Sequence, residues 1–363
     1  MRVLIVEDSA VQRKMVRAVL EPDPRIEIVG GASNGELAVA RLAAGEIDVL
    51  TLDLEMPVLD GIGVLEYMRA NRCVAGAVVL SALSREGARK SIEAMMLGAF
   101  DFIAKPTGSD GGPEAVVEEL RKTLLPRVIA CAEHVQHLRG AAPISPAVVA
   151  PRPALPARAI AEAPEKTLGK PEMVVLGSST GGPQALESVL SSLPADLTCP
   201  VLVVQHMPPM FTKSLAESLD RKCAVHVAEA TDGDTLRAGE VLIAPGGFQM
   251  RVVERAGKRV VEMTEDPPIK SCRPSVDYLF RSAARVCGGR ALAVILTGMG
   301  EDGTDGARLL TGRGARLLVQ DRATCVVFGM PRIPAEEGWA DEILPLEEIG
   351  AAIARHCGNR VRA

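Results

Sequence analysis

Short apolar runs bounded by turn or acidic residues alternate with helical patterns along most of this chain. In the N-terminal part, Arg2–Val6, Glu27–Gly30, Val49–Leu52, Ala77–Leu80 and Asp101–Ala104 read as brief strands. Between them, Ala10–Leu20, Gly35–Ala43 and Val64–Ala70 carry helical patterns. Such alternation predicts an α/β fold, a parallel sheet with helices on both faces joined by right-handed crossovers. The pattern resumes with strands at Met173–Gly177, Val201–Gln205 and Leu292–Leu296. Arg251–Glu254 and Arg259–Met263 flank a turn containing Gly257 and read as a hairpin. Pro274–Cys287 reads as a helix with Val276, Leu279, Phe280 and Ala283 on one face.

Between the two patterned segments the periodicity stops. Ala141–Lys170 holds six prolines and nine alanines in thirty residues, a composition that resists helix and sheet alike. The expected organisation is a first domain at 1–138, a Pro/Ala-rich linker at 139–171 and a second domain at 172–363. A length of 363 residues predicts two domains as well.

Composition narrows the class of protein. With 47% hydrophobic and 24% charged residues, the chain can bury ordinary soluble cores. A net charge of −5 and 2% aromatic residues disfavour nucleic acid as partner, and no basic helix-turn-helix pattern is present. No apolar run approaches membrane-spanning length and no cleavable leader opens the chain, so a cytoplasmic protein without membrane insertion is expected. The eight cysteines lie far apart without a C-x-x-C, as small buried apolar residues do, and no structural zinc is expected. His134 and His137 are spaced like two ligands on a helix face, but without a third ligand nearby they read as a solvated helix end.

Functional groups of parallel sheets gather beyond the carboxyl ends of the strands. In the first domain those ends deliver Glu7 and Asp8, then Asp53, then Ser81, then Lys105 and Pro106. Glu7, Asp8 and Asp53 make a hard oxygen set suited to Mg²⁺. Ser81 and Lys105 beside them suit phosphoryl oxygens, which makes Asp53 the natural phosphoacceptor. Any one of these acids is as well read as a helix N-cap; the combination on four strand ends of one sheet is not. The segments Val6–Asp8, Asp53–Gly61, Leu80–Ala82 and Ala104–Pro106 together resemble a two-component receiver domain. That resemblance implies a flavodoxin-like five-stranded sheet, phosphorylation by a histidine kinase and a cis Lys105–Pro106 bond.

In the second domain Gly177–Gly181 matches G-x-S-x-G between a predicted strand and helix, the context of a nucleophile elbow. The loop lacks the lysine of a phosphate loop and the spacing of a dinucleotide loop. A plain structural turn explains the motif alone equally well. Its company favours catalysis: His206 follows a strongly apolar strand, and Asp302 lies in a Gly-rich loop at a third strand end. His226 reads as an exposed strand position and His356 belongs to the C-terminal tail. Glu301 and Asp305 compete with Asp302, and spacing does not choose among them. The order Ser179, His206, Asp302 differs from that of α/β-hydrolases.

Gly177–Gly182, Gln205–Pro208, Ala244–Gly246, Arg273–Asp277 and Thr297–Gly303 together resemble the catalytic domain of the chemotaxis protein-glutamate methylesterase (CheB) family. The resemblance implies a doubly wound α/β domain, Ser179 as nucleophile, His206 as base, Asp302 as orienting acid, and the backbone N–H groups of Thr180 and Met299 as oxyanion donors. It implies hydrolysis of glutamate γ-methyl esters and deamidation of glutamines on chemoreceptors, with no cofactor for the ester chemistry. It also implies that the unphosphorylated receiver packs over the catalytic cleft. Two other readings of the second domain remain at this point: a binding module without activity, and a hydrolase acting on a different substrate.

Overall fold

The structure, a computed structural model, describes residues 1–106, 112–140 and 169–359. In the first half the elements alternate as β1 (Arg2–Val6), α1 (Ala10–Leu20), β2 (Glu27–Ala32), α2 (Gly35–Ala43), β3 (Val49–Asp53), α3 (Gly61–Ala70), β4 (Gly76–Ser81), α4 (Arg85–Leu97), β5 (Asp101–Ala104) and α5 (Gly112–Gly140). The strands form one parallel sheet in the order β2-β1-β3-β4-β5, the doubly wound arrangement with its switch point between β1 and β3. Strands β1 and β3 are buried along almost their whole length, which is why they read as continuous apolar runs. Helix α3 begins three residues before its apolar pattern because the Asp60 carboxylate accepts from Gly63 N at 2.9 Å and caps it.

Two expectations for this half are corrected. Lys105–Pro106 is not among the cis bonds, and the turn is closed by Lys105 N donating to Ser81 O at 2.7 Å. His134 is half-buried and lies 5.8 Å from the Phe100 ring, whereas His137 is exposed, so only the latter is solvated. The α5 helix continues two residues past the expected domain end, and most of the predicted linker lies outside the described residues.

The second half runs β6 (Met173–Ser178), α6 (Gly182–Ser191), β7 (Val201–Gln205), α7 (Phe211–Asp220), β8 (His226–Glu229), β9 (Glu240–Ile243), the hairpin β10 (Gln249–Arg255) and β11 (Lys258–Thr264), α8 (Val276–Val286), β12 (Ala291–Ile295), α9 (Thr304–Thr311), β13 (Arg316–Gln320), α10 (Arg332–Glu336), β14 (Glu342–Leu344) and α11 (Leu346–His356). Seven strands pair in parallel in the order β14-β13-β12-β6-β7-β9-β8. The hairpin pairs antiparallel as a separate sheet. The chain order reverses around β6, so the loops after β12, β6 and β7 converge on one crevice, where such sheets hold their ligands. The predicted helix at Pro274 begins at Val276, because the Ser275 side chain caps it and Pro274 lies before the cap.

The halves share apolar packing. Met95, Ala99 and Phe102 of the first belong to one buried cluster with Met207, Phe211 and Leu215 of the second. The rings of Phe102 and Phe211 stack with centroids 4.6 Å apart. The Gln184 side chain at the start of α6 donates to Met95 O and Ala99 O at the end of α4. No helix among the described residues is long and apolar enough to cross a membrane.

Candidate active site

Ser179 stands on the turn between β6 and α6. Gly181 takes φ 76° there with Val326 packed against it, and Gly182 lies so close to the Gln205 side chain that a Cβ would overlap it. Gln205, the last residue of β7, braces the turn by accepting from Ser178 Oγ at 2.6 Å and donating to Ser179 O at 2.9 Å. These contacts separate two serines that the sequence leaves side by side. Ser178 is buried and tied to Gln205, while Ser179 lines an open cavity of about 230 Å³.

His206 lines the same cavity. Its Nε2 lies 2.8 Å from Asp302 Oδ2, so in the neutral imidazole that nitrogen carries the proton and Nδ1 the lone pair. Asp302 is fixed at the head of α8: Oδ1 accepts from Ser275 Oγ at 2.8 Å, Asp277 N at 3.1 Å and Gly303 N at 3.0 Å, and Oδ2 from Val276 N at 2.7 Å. Burial works against its ionisation, but His206 and these donors outweigh it and hold its pKa below the usual carboxylate range. Its rivals are engaged elsewhere, Glu301 with Arg332 and Asp305 with Lys270 and Arg281. Burial likewise pulls the His206 pKa down. Hydrogen bonding to Asp302 and Cys272 overcomes that and carries it up to about 9.

The Ser179 hydroxyl makes no hydrogen bond among the described residues, and His206 Nδ1 faces the Cys272 sulfur at 3.7 Å. The Thr180 and Met299 backbone N–H groups have no acceptor among the described residues. His226 is exposed on β8 and bonded to Asp220, and His356 bonds Glu342, so neither approaches the cavity.

The cavity is roofed by the first half. Asp101, Phe102 and Arg127 line it opposite Ser179, Thr180, His206 and Pro208. Asp101 Oδ2 accepts from Thr180 Oγ1 at 2.6 Å and from Arg127 Nε at 3.0 Å. Both Asp101 and Thr180 are buried. Sequence reasoning placed Asp101 at a strand start and gave it no role; neither it nor Cys272 carries a motif that marks it.

In the first domain Glu7, Asp8 and Asp53 bring carboxylate oxygens within 4.8 Å of one another. Lys105 Nζ lies 2.8 Å from Asp53 Oδ2 and 3.0 Å from Glu7 Oε2. Burial and the neighbouring Asp53 charge raise the Glu7 pKa, the mark of a crowded anionic pocket. Two buried carboxylates and one exposed one form an all-oxygen set that fits Mg²⁺ with several waters retained. Ser81, the predicted hydroxyl, is buried and donates to Gly87 O at 3.0 Å near the start of α4.

Residues 174–353 match the CheB methylesterase family and residues 3–116 the response regulator receiver domain family. The chain is 42% identical over 361 residues to a protein-glutamate methylesterase/protein-glutamine glutaminase of Desulfotalea psychrophila, covering 97% of each. It is 44% identical to the protein of the same name from Symbiobacterium thermophilum, covering 99% of this chain and 97% of that one. The crystal structure of the Thermotoga maritima CheB methylesterase catalytic domain is 43% identical, with a TM-score of 0.50, covering 52% of this chain and 99% of that one.

Proposed function

The chain belongs to the protein-glutamate methylesterase/protein-glutamine glutaminase family with an N-terminal receiver, and from that premise we propose how its own residues carry and control the reaction. It is a hydrolase of chemotaxis that removes glutamate γ-methyl esters and deamidates glutamines. The substrates are cytoplasmic segments of chemoreceptors, and the phosphodonor is a chemotaxis histidine kinase.

Ser179 Oγ attacks the ester carbonyl while His206 takes its proton at Nδ1, the nitrogen that Asp302 leaves free. The oxyanion is received by the backbone N–H groups of Thr180 and Met299. His206 then returns the proton to the departing methoxide, giving methanol. Water, deprotonated by the same base, clears the acyl-enzyme to the free glutamate. With a glutamine side chain the leaving group is ammonia. The observation that carries this reading is the His206–Asp302 hydrogen bond beside Ser179 on one cavity wall. Ser179→Ala abolishes methanol release from methylated receptor membranes if it is right.

In the resting state the receiver both blocks and opposes the chemistry. Asp101 occupies the Thr180 hydroxyl and sets a carboxylate beside the group that must receive a developing anion. Asp53 is the phosphoacceptor, and Glu7, Asp8 and Asp53 would hold Mg²⁺. A bound Mg²⁺ supplies positive charge against the phosphoryl oxygens. Lys105 offsets charge on the Asp53 side, and Ser81 turns from Gly87 O toward the phosphoryl group. Gly87 O keeps Ser91 Oγ at 2.8 Å, but the tie between β4 and the head of α4 is lost, and the other end of that helix is held by Gln184. Phosphorylation thereby weakens the domain contact and uncovers Ser179.

A further inference from the structure

Nδ1 of His206 is the nitrogen the base needs, yet it faces a thiol. We propose that Cys272 and His206 form a binding site for a thiophilic divalent cation, Zn²⁺ by the chemistry of its donors, whose occupancy blocks the esterase. A tetrahedral zinc with its usual bond lengths to sulfur and nitrogen sets those two ligand atoms roughly 3.6 Å apart. Cys272 Sγ and His206 Nδ1 lie 3.7 Å apart, so both donors already stand at the separation the ion requires. Asp302 on the opposite nitrogen supplies the carboxylate that fixes a metal-binding imidazole in the right tautomer.

The sulfur is held in place by its own turn. Ile269 N donates to Cys272 O at 3.1 Å and Cys272 N to Ile269 O at 2.8 Å. Cys272 and His206 are each partly exposed, which gives the ion and its remaining waters access. Lys270 lies two residues away, but its Nζ is engaged by Asp277 at 3.0 Å and Asp305 at 3.3 Å, so its charge is offset. Ligand softness separates this pair from the carboxylate set of the receiver, which takes Mg²⁺. On binding, the thiol proton and the Nδ1 proton of the imidazolium pass to solvent and the ion exchanges two waters for sulfur and nitrogen; nothing is oxidised or reduced. The Nδ1 lone pair is then occupied and cannot accept the Ser179 proton. Only this last step rests on His206 being the base.

The test uses the full chain and Co²⁺ as a spectroscopic substitute, followed by Zn²⁺ in competition with a chromogenic chelator. The expected result is a thiolate-to-cobalt charge-transfer band saturating at one ion per chain, lost in both Cys272→Ser and Cys272→Ala, with Zn²⁺ affinity falling at least about tenfold. Cys73→Ser and Cys223→Ser, which alter the other partly exposed thiols, keep the band. Zn²⁺ suppresses methanol release and a chelator restores it. A band and a Zn²⁺ affinity unchanged in folded Cys272 variants overturn the site. A Cys272-dependent band in an enzyme whose turnover ignores Zn²⁺ overturns the blockade and leaves the metal site standing.

Discussion

Replacing Asp101 by alanine raises the activity of the unphosphorylated enzyme. Asp101 is a receiver residue lining the catalytic cavity, and it bonds Thr180 Oγ1 at 2.6 Å between two buried groups. In the closed state the variant leaves the Thr180 hydroxyl without its acceptor, while in the open state water satisfies it, so the loss falls on the closed state alone. A buried hydrogen bond to a charged group contributes about 1.5–3 kcal/mol. That shifts the closed–open equilibrium by about 10- to 150-fold. The Phe102–Phe211 stack is untouched and retains about 0.5–1.5 kcal/mol of docking preference, so release is substantial rather than total. Loss of the Asp101–Arg127 pair adds little, because that pair lies within the receiver and Arg127 is about a third exposed. The assay is methanol release from methylated receptor membranes without phosphodonor, with the fragment 172–363 setting the fully uncovered ceiling. Basal activity of Asp101→Ala should rise toward that ceiling, and stimulation by acetyl phosphate should shrink in proportion. Unchanged basal activity in a folded variant that still takes up phosphate, beside a fragment many times more active, refutes the reasoning.

Other outcomes follow from the same geometry. Asp53→Asn keeps basal esterase activity and loses its rise with acetyl phosphate; equal stimulation of variant and wild type contradicts phosphorylation at Asp53. The fragment 172–363 hydrolyses methyl esters faster than the unphosphorylated full chain, and a slower folded fragment contradicts occlusion. Because His206 must be neutral to act as base and its pKa stands near 9 in the covered enzyme, unstimulated kcat/KM climbs with pH through that region. Cys272→Ser removes one of the groups that raise this pKa, so the ascending limb moves to lower pH; a limb that stays in place contradicts the contact.

Much of the fold was legible because buried parallel strands are unbroken apolar runs. Arg2–Val6, Asp101–Ala104 and Val201–Gln205 fall where the pattern puts them, and Leu292–Leu296 is displaced by a single residue. Short edge strands such as His226–Glu229 and Glu342–Leu344 carry too few apolar residues to stand out, and the pattern passes over them. Ser179 and His206 stand out in the sequence because each comes directly after a buried strand, β6 and β7. The choice among Glu301, Asp302 and Asp305 was not legible, since it depends on the head of a helix 26 residues earlier in the chain donating Val276 N to Asp302. Cys272 and Asp101 were invisible for a related reason. Their partners, His206 and Thr180, are 66 and 79 residues away, and only the packing of loop on strand and domain on domain brings them there.

One esterase site is gated by one phosphorylation site. The measurement that bears on this most directly is methanol release from methylated receptor membranes by wild type and Ser179→Ala, each with and without a phosphodonor. Release by wild type should rise with the phosphodonor, and release by Ser179→Ala should fall on the order of 10⁴-fold or more under both conditions. Undiminished release by Ser179→Ala, or no response of wild type to the phosphodonor, contradicts that arrangement.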